Sequence, residues 1–395
     1  MKYTMKFVPL AIAAAVALAA CGKKEEPPKK EAAKAAAAPA PAATIKIGHV
    51  APLTGGIAHL GKDNENGARM AIDEINAAGG LKVGETTYKL ELVAEDDKAD
   101  PKEGTLTAQK LVDAGVVAMV GHLNSGTSIP ASKIYSDASV TQISPSATNP
   151  KLTEQGFKTT FRVVANDNQQ GSVLANYAAN EMKAKSIAII DDRTAYGQGL
   201  ADVVDKVAKE KGLKVVAREF TTDKATDFNA ILTKVRAAKP DVLMYGGMDA
   251  TAAPMAKQMK QLGIKAPMLA GDGVCSPEFI KLAGDAAPLL TCSMAGEAVE
   301  KLAKGADFVA KYKAKFNTDV QIYSPYSYDA TYVIAEALKR AGKPDRAAVT
   351  AAIPATSYSG VTGQIAFDGK GDIKGGAISM FKVKDGKLDY ISTSR

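Results

Sequence analysis

Three polar segments carry the side chains best suited to chemistry. The first, Gly121-His-Leu-Asn-Ser-Gly-Thr-Ser-Ile-Pro130, follows an apolar run and opens a helical pattern. Pro130 suits a first helical turn, and the Ser and Thr just before it suit an N-cap. Free backbone N–H groups and the helix dipole at such a point attract anions, and Ser125 adds a hydroxyl donor. The same pattern also serves as a plain helix cap, and spacing leaves both readings standing. The second segment is Ser144-Pro-Ser-Ala-Thr-Asn-Pro150. Its prolines bracket polar groups, so that Thr148 can offer its N–H and hydroxyl and Ser146 its carbonyl; in isolation it is a rigid turn. In the third, Gly271-Asp-Gly273, Asp272 is an acid that can pair with an ammonium or simply form a turn. Together the three hold anion donors on one side and a cation acceptor on the other, the two needs of an α-amino acid zwitterion.

Other chemistries fit less well. His122, Ser125 and Asp272 have the residue types of a hydrolase triad, but His122 and Ser125 share one short loop and the chain has no Gly-x-Ser-x-Gly elbow. His49, His59 and His122 have no partner at metal-ligand spacing and are expected to be structural. No Walker-type phosphate loop occurs. No cofactor and no metal are therefore expected.

The three cysteines divide in two. Cys275 and Cys292 stand 17 residues apart, and an oxidising compartment would join them; two buried free thiols are the alternative. Cys21 closes Leu18-Ala19-Ala20-Cys21 after a leader with Lys2 and Lys6 and an apolar run Phe7–Ala20. That leader has the regions of a secretory signal and is too short for a membrane span. The last four residues resemble a bacterial lipobox, which implies cleavage before Cys21 and lipidation of its thiol. Residues 21–44 are rich in Lys, Glu, Ala and Pro, lack large apolar side chains, and read as a tether. The net charge of +7 falls to +5 without Lys2 and Lys6. Basic and acidic residues are interspersed along helical patterns, so no nucleic-acid partner is expected.

From Ile45 on, apolar runs alternate with helical periodicity. Strands are expected at 45–51, 89–95, 116–121, 140–144, 186–191, 214–220, 242–246 and 268–271. Helices are expected at 64–78, 102–114, 128–138, 169–182, 197–211, 228–238 and 252–262. The alternation predicts parallel sheets with right-handed crossovers. Gly79-Gly80, Gly212 and Gly263 follow helix ends, where a left-handed residue is wanted. Such sheets bind ligands beyond the carboxyl ends of their strands. The segments Pro52–Gly61, His122–Pro130, Pro145–Pro150 and Asp272–Pro277 are then the site loops, and the length of 395 residues suits two domains.

Across Ile45–Arg395 the sequence resembles the branched-chain amino-acid-binding proteins of the type I periplasmic binding protein family. The resemblance rests on IKIGHVAPLTGGIAHLGKDNENGARMAIDEINAAGG, EDDKADPKEGTLTAQKLV, GHLNSGTSIPAS, SPSATNPKLT, DDRTAYGQGLA and FDGKGDIKG, in that order. It implies an α/β fold of two Rossmann-like lobes with parallel sheets, joined by three crossing segments, that closes over its ligand as a Venus-flytrap. Lobe one would be 45–165 plus 295–373 and lobe two 166–294 plus 374–395. Ser125 and Thr148 would take the ligand carboxylate. The Ser146 carbonyl, the Thr148 hydroxyl and Asp272 would take the ammonium. Leu60, Leu123, Asn124, Tyr196, Met248 and Tyr323 would line the side-chain pocket. The family often has Glu where Asp272 stands and aromatics where Leu60 and Met248 stand. It also often carries a lobe-one disulfide that this chain lacks. Smaller and softer walls imply a roomier pocket. The resemblance further implies a bacterial periplasmic lipoprotein, membrane-anchored and monomeric, not an enzyme. It would capture Leu, Ile or Val and deliver it to an ABC permease with its ATPase. A ligand sensor, or a binder of another amino acid, an amide, urea or an aromatic acid, would use the same fold.

Overall fold

The computed structural model describes residues 43–395. The leader 1–20, Cys21 and nearly all of the tether 21–44 lie outside the described residues. The tether's last residue, Thr44, is already the first of strand β1.

Among the described residues the chain builds two large sheets. The first contains β1 (Thr44–Ala51), β2 (Leu81–Val83), β3 (Thr86–Asp96), β4 (Ala118–Gly121), β5 (Thr141–Ser144) and β6 (Thr160–Arg162), in the order β2-β3-β1-β4-β5-β6. All run parallel except β2, which pairs antiparallel with β3. The second sheet takes β7 (Ser186–Asp191), β8 (Lys214–Phe220), β9 (Val242–Gly246), β10 (Met268–Ala270) and β11 (Leu290–Met294). After a short hairpin, β12 (Tyr358–Ser359) and β13 (Gln364–Ile365), it is completed by β14 (Ile378–Lys384) and β15 (Lys387–Ser394). Its order is β15-β14-β11-β10-β9-β7-β8, parallel from β7 to β11 and antiparallel at β14 and β15. Strands β4, β5 and β9 are buried along their whole length. Parallel strands covered on both faces by helices require this.

The eight strands expected from sequence are all present, and β7, β8 and β9 have the expected bounds. Gly212 and Gly263 take the left-handed φ values of 80° and 71°. Three helices begin three or more residues earlier than their periodicity indicates, at Ala58 rather than Asn64, at Ser125 rather than Ser128 and at Asp249 rather than Ala252. Packing holds these polar starts helical: Leu60, Gly61 and Asp63, and Ser125 and Thr127, are buried. The loops Pro52–Gly61 and His122–Pro130 are correspondingly shorter. Pro130 stands inside its helix, not in the first turn, and forgoes one backbone hydrogen bond there.

The chain passes between the sheets after β6, after β11 and before β14. The three crossings lie side by side: Ala165 N donates to the Ala295 carbonyl at 3.4 Å, and Gln169 Nε2 to the Gly376 carbonyl at 2.7 Å. An apolar cluster runs from Ile189, Leu200 and Met244 of the second half, through Tyr196 and Met248, to Leu60, Leu123 and Tyr323. The two halves therefore meet at the carboxyl ends of β1 and β4 on one side and of β7, β9 and β10 on the other.

Candidate ligand-binding site

Asp272 opens a single 3₁₀ turn, Asp272–Val274, directly after β10. Its neighbouring glycines are dictated by space. A Cβ on Gly271 would stand 2.5 Å from the Tyr196 hydroxyl, and one on Gly273 would stand 2.6 Å from the Met248 sulfur. With those packed close, Asp272 is 2% exposed. Its Oδ1 accepts from Gln170 Nε2 and from the Tyr196 hydroxyl, both at 2.9 Å, and its Oδ2 from the Tyr323 hydroxyl at 2.7 Å. Burial pushes its carboxyl above the ordinary range, against the pull of the Tyr323, Gln170 and Tyr196 donors. A carboxylate offers about four lone-pair sites, so Oδ2 keeps one acceptor direction open. Cys275 and Cys292 are bonded, with Cα atoms 5.5 Å apart, and tie this turn to β11; the free-thiol alternative is not what forms.

Across from Asp272, the segments after β4 and β5 are laced together. The helix Ser125–Asp137 is capped by Asn124, not by the Ser or Thr before Pro130, and Asn124 makes no side-chain cap bond. Ser125 Oγ instead accepts from Asn149 N at 3.2 Å. Ser146 Oγ donates to the Leu123 carbonyl and accepts from Asn64 Nδ2, both at 3.1 Å. Arg162, on β6 and fully buried, donates to the Ala147 and Asn149 carbonyls at 2.9 Å each and pairs with Asp372 at 2.5 Å. Thr148 is thus clamped on both sides. Its carbonyl accepts from Asp167 N at 2.9 Å. Its hydroxyl is buried and comes near the Asp167 carboxyl, close enough to favour the charged acid but outside good hydrogen-bond geometry.

Leu123, Asn124, Ser125, Ser146, Tyr196, Met248, Asp272 and Tyr323 surround one small cavity of about 10 Å³, room for a single water. Eight of the residues singled out by sequence therefore converge, donors and hydroxyls facing the acid. Thr148 does not line this cavity, although the backbone N–H of the next residue, Asn149, reaches Ser125 Oγ. Leu60 packs fully buried in the adjoining apolar cluster. A space of about 520 Å³ shares Asn124, Tyr196 and Met248 with the small cavity and is bounded also by Ile57, Ala250, Asp192 and Arg193. A bigger cavity, about 890 Å³, lies on the first half between segments 153–161 and 347–354 and holds none of these residues; size alone would misplace the site. Tyr196 and Tyr323 direct their hydroxyls to Asp272, so they serve the acid as well as the pocket wall. Burial holds both phenols far above their ordinary pKa, so both remain donors.

The residue types of a hydrolase triad do not come together as one. His122 engages Asp97 through Nδ1 and the Tyr135 hydroxyl through Nε2, each at 3.0 Å, and Ser125 bonds elsewhere. His49 is fully buried, and burial lowers its pKa to about 4. His59 meets Asp249 at 2.7 Å, linking the helix Ala58–Ala77 of one half to the helix Asp249–Gln261 of the other.

Several supporting residues escape sequence reasoning. Asp63 accepts from four successive backbone N–H groups, Gln321 through Ser324, at 2.7–3.1 Å, and so fixes Tyr323. Gln170 and Asp167 enter with the helix Asp167–Asn180, which Asn166 caps. In the sequence these are ordinary polar residues; only the Asn-Asp-Asn-Gln-Gln run before a small-residue helix marks the place.

A family model for periplasmic binding proteins matches residues 44–387. The chain belongs to the periplasmic binding protein family. Among relatives of this periplasmic binding protein is the Leu/Ile/Val-binding protein homolog 1 of Brucella abortus (strain 2308), 37% identical over 353 residues, covering 88% of this chain and 94% of the relative. A Pseudomonas aeruginosa leucine-, isoleucine-, valine-, threonine- and alanine-binding protein is 36% identical, covering 84% and 88%. The branched-chain amino acid transporter substrate-binding protein LivJ of Streptococcus pneumoniae, solved with isoleucine, has a TM-score of 0.80 at 29% identity, covering 88% of this chain and 99% of that one. The type I periplasmic binding protein fold expected from sequence is thus the fold found.

Proposed function

We propose that this protein binds an α-amino acid, of the branched-chain class, between its two halves and hands it to an ABC permease served by its ATPase. The observation that carries the reading is the buried Asp272 carboxylate facing Ser125 and Ser146 across the cavity. The carboxylate of the ligand lies on Ser125 and Thr148. Its ammonium lies on the open side of Asp272 Oδ2, with the Ser146 carbonyl and the Thr148 hydroxyl. The halves, 45–165 plus 295–373 and 166–294 plus 374–395, part to admit the ligand and close on it. Closure removes water and strengthens each charge pairing. Leucine, isoleucine and valine are supported by the names of the relatives, and the apolar walls of Leu60, Leu123, Tyr196 and Met248 suit their side chains. The leader and Cys21 support lipid anchoring in the periplasm.

Calorimetry with leucine, isoleucine, valine and the remaining amino acids tests the reading. At least one branched-chain amino acid binds the wild type, and Asp272→Ala weakens it by at least about tenfold, as loss of a charged partner in a dry site requires. No amino-acid binding, or equal affinity in the variant, overturns it.

A further inference from the structure

A second buried acid stands behind the first. Asp167 is fully buried at the start of the helix Asp167–Asn180, and its backbone N–H donates to the Thr148 carbonyl. One amide joins the two acids: Gln170 Nε2 donates to Asp272 Oδ1 at 2.9 Å and to Asp167 Oδ1 at 3.4 Å. The orientation of that amide is fixed from its other end, because Gln170 Oε1 accepts from the Asp272 backbone N–H at 3.2 Å and the Ser293 hydroxyl at 2.7 Å, and a backbone N–H can only donate. Asp167 Oδ2 and the Thr148 hydroxyl are both buried and near one another, and neither makes a hydrogen bond of good geometry. A fully buried hydroxyl and carboxylate oxygen left unmatched are costly unless something else satisfies them.

Among the described residues no free cation faces Asp167. Facing Asp167 are Asp272 from the 3₁₀ turn, Arg162 from β6, Thr148 from the loop after β5, Gln170 from its own helix, and the Tyr196 and Tyr323 phenols from the two halves. The Arg162 guanidinium is committed to Asp372, Thr153 and the carbonyls of Ala147 and Asn149. Burial, and then the neighbouring Asp272 charge, push Asp167 up to about 7. Like charges this close cannot both ionise freely, and the pair titrates as a unit.

Resting on the amino-acid reading above, we propose that Asp167 is a second acid for the ligand ammonium, and that the Asp167–Asp272 pair gives up a shared proton when the ammonium binds. An ammonium brings three N–H donors and one positive charge. Those donors meet Asp272 Oδ2 and the unmatched oxygens of Thr148 and Asp167, the charge favours two ionised carboxyls over one, and the displaced proton passes to the buffer. The ligand carries its own charge unchanged, so charge and protons balance.

Leucine binding by the wild type, measured by calorimetry near pH 7 in buffers of different ionisation enthalpy, tests this without any variant. The expected slope corresponds to release of about one-half proton per leucine, as linkage to a group titrating near that pH requires. Affinity rises as pH goes from 6 to 8. In Asp167→Asn, a near-isosteric change, leucine still binds, more weakly by about tenfold at pH 8, with the buffer slope gone and the pH profile flat. A wild-type slope of zero with leucine bound, or an unchanged slope in Asp167→Asn, overturns this inference and leaves the amino-acid reading intact. Failure of the wild type to bind any amino acid overturns that reading and this inference with it.

Discussion

The Tyr323 hydroxyl donates to Asp272 Oδ2 at 2.7 Å, although the two residues are 51 positions apart and sit on opposite halves of the molecule. Tyr323 immediately precedes the helix Ser324–Ala341, which packs in the core around the first sheet; Asp272 follows β10 of the second. The bond therefore exists only when the halves are together, and it fixes the orientation of the acid. Tyr323→Phe is expected to weaken leucine binding by about tenfold, the worth of one hydrogen bond to a charged group. Since the ring stays, the melting temperature of the ligand-free protein should move little. Calorimetry beside thermal unfolding separates the two effects, and an unaltered dissociation constant would remove Tyr323 from the site.

Asp63 sets where Tyr323 stands. Its carboxylate gathers the backbone N–H groups of Gln321, Ile322, Tyr323 and Ser324, where a helix N-terminus also favours negative charge. Asp63→Asn replaces one acceptor oxygen with an NH₂ group facing other donors. The expected cost is about 2–3 kcal/mol in urea unfolding, from buried N–H groups left unmatched, together with weaker leucine binding as Tyr323 loses its anchor. A variant with wild-type urea midpoint would show that the four bonds are dispensable.

Much of this was legible because parallel sheets put function at strand ends. Once 116–121, 140–144 and 268–271 read as strands, the segments after them had to converge, and Ser125, Ser146 and Asp272 do. Family resemblance added Tyr196, Tyr323 and Met248, which spacing alone could not place. What stayed hidden has a physical reason in each case. Asp63 lies one residue before the helix expected at 64–78, and its partners are backbone groups some 260 positions away. Gln170 and Asp167 are polar residues in a buried setting that only tertiary packing creates. Strands β2, β6 and β11 are three to five residues long, too short for a period-two pattern to stand out. The β14–β15 hairpin did leave a trace: Asp385 and Gly386 both take positive φ, 50° and 73°, the demand that an Asp-Gly turn meets.

The Cys275–Cys292 bond closes a loop that starts three residues after Asp272. Both sulfurs are buried, so reductant should act slowly on the native protein. Replacing both by Ala is expected to lower stability by about 3 kcal/mol, the chain-entropy value for a loop of this size, and to loosen the turn that presents Asp272. The checks are urea denaturation of the double variant and its affinity for leucine. A midpoint equal to wild type would mean that the turn is held by Tyr196, Gln170 and the packed glycines alone.

His59 and Asp249 form a second bridge between the halves, at 2.7 Å, with the Ser276 hydroxyl on the same Asp249 oxygen at 2.5 Å. Burial alone would lower the His59 pKa, but the hydrogen bond and charge of Asp249, with Glu278 and Asp63 beyond, raise it above the ordinary value of 6.5. A raised value in the folded, closed protein means that the proton is held more tightly there than in the unfolded chain. The stabilisation is therefore complete below about pH 6.5 and fades as pH climbs through the folded value. His59→Gln should lose about 1 kcal/mol relative to wild type at pH 6, a drop of about 2 °C in melting temperature, as suits a half-buried pair. By pH 9 the two proteins should melt together, because the wild-type imidazole is then neutral. Melting curves at half-unit pH steps decide the matter. A gap between the two proteins that stays constant from pH 6 to pH 9 would show that His59 contributes by packing and not by charge.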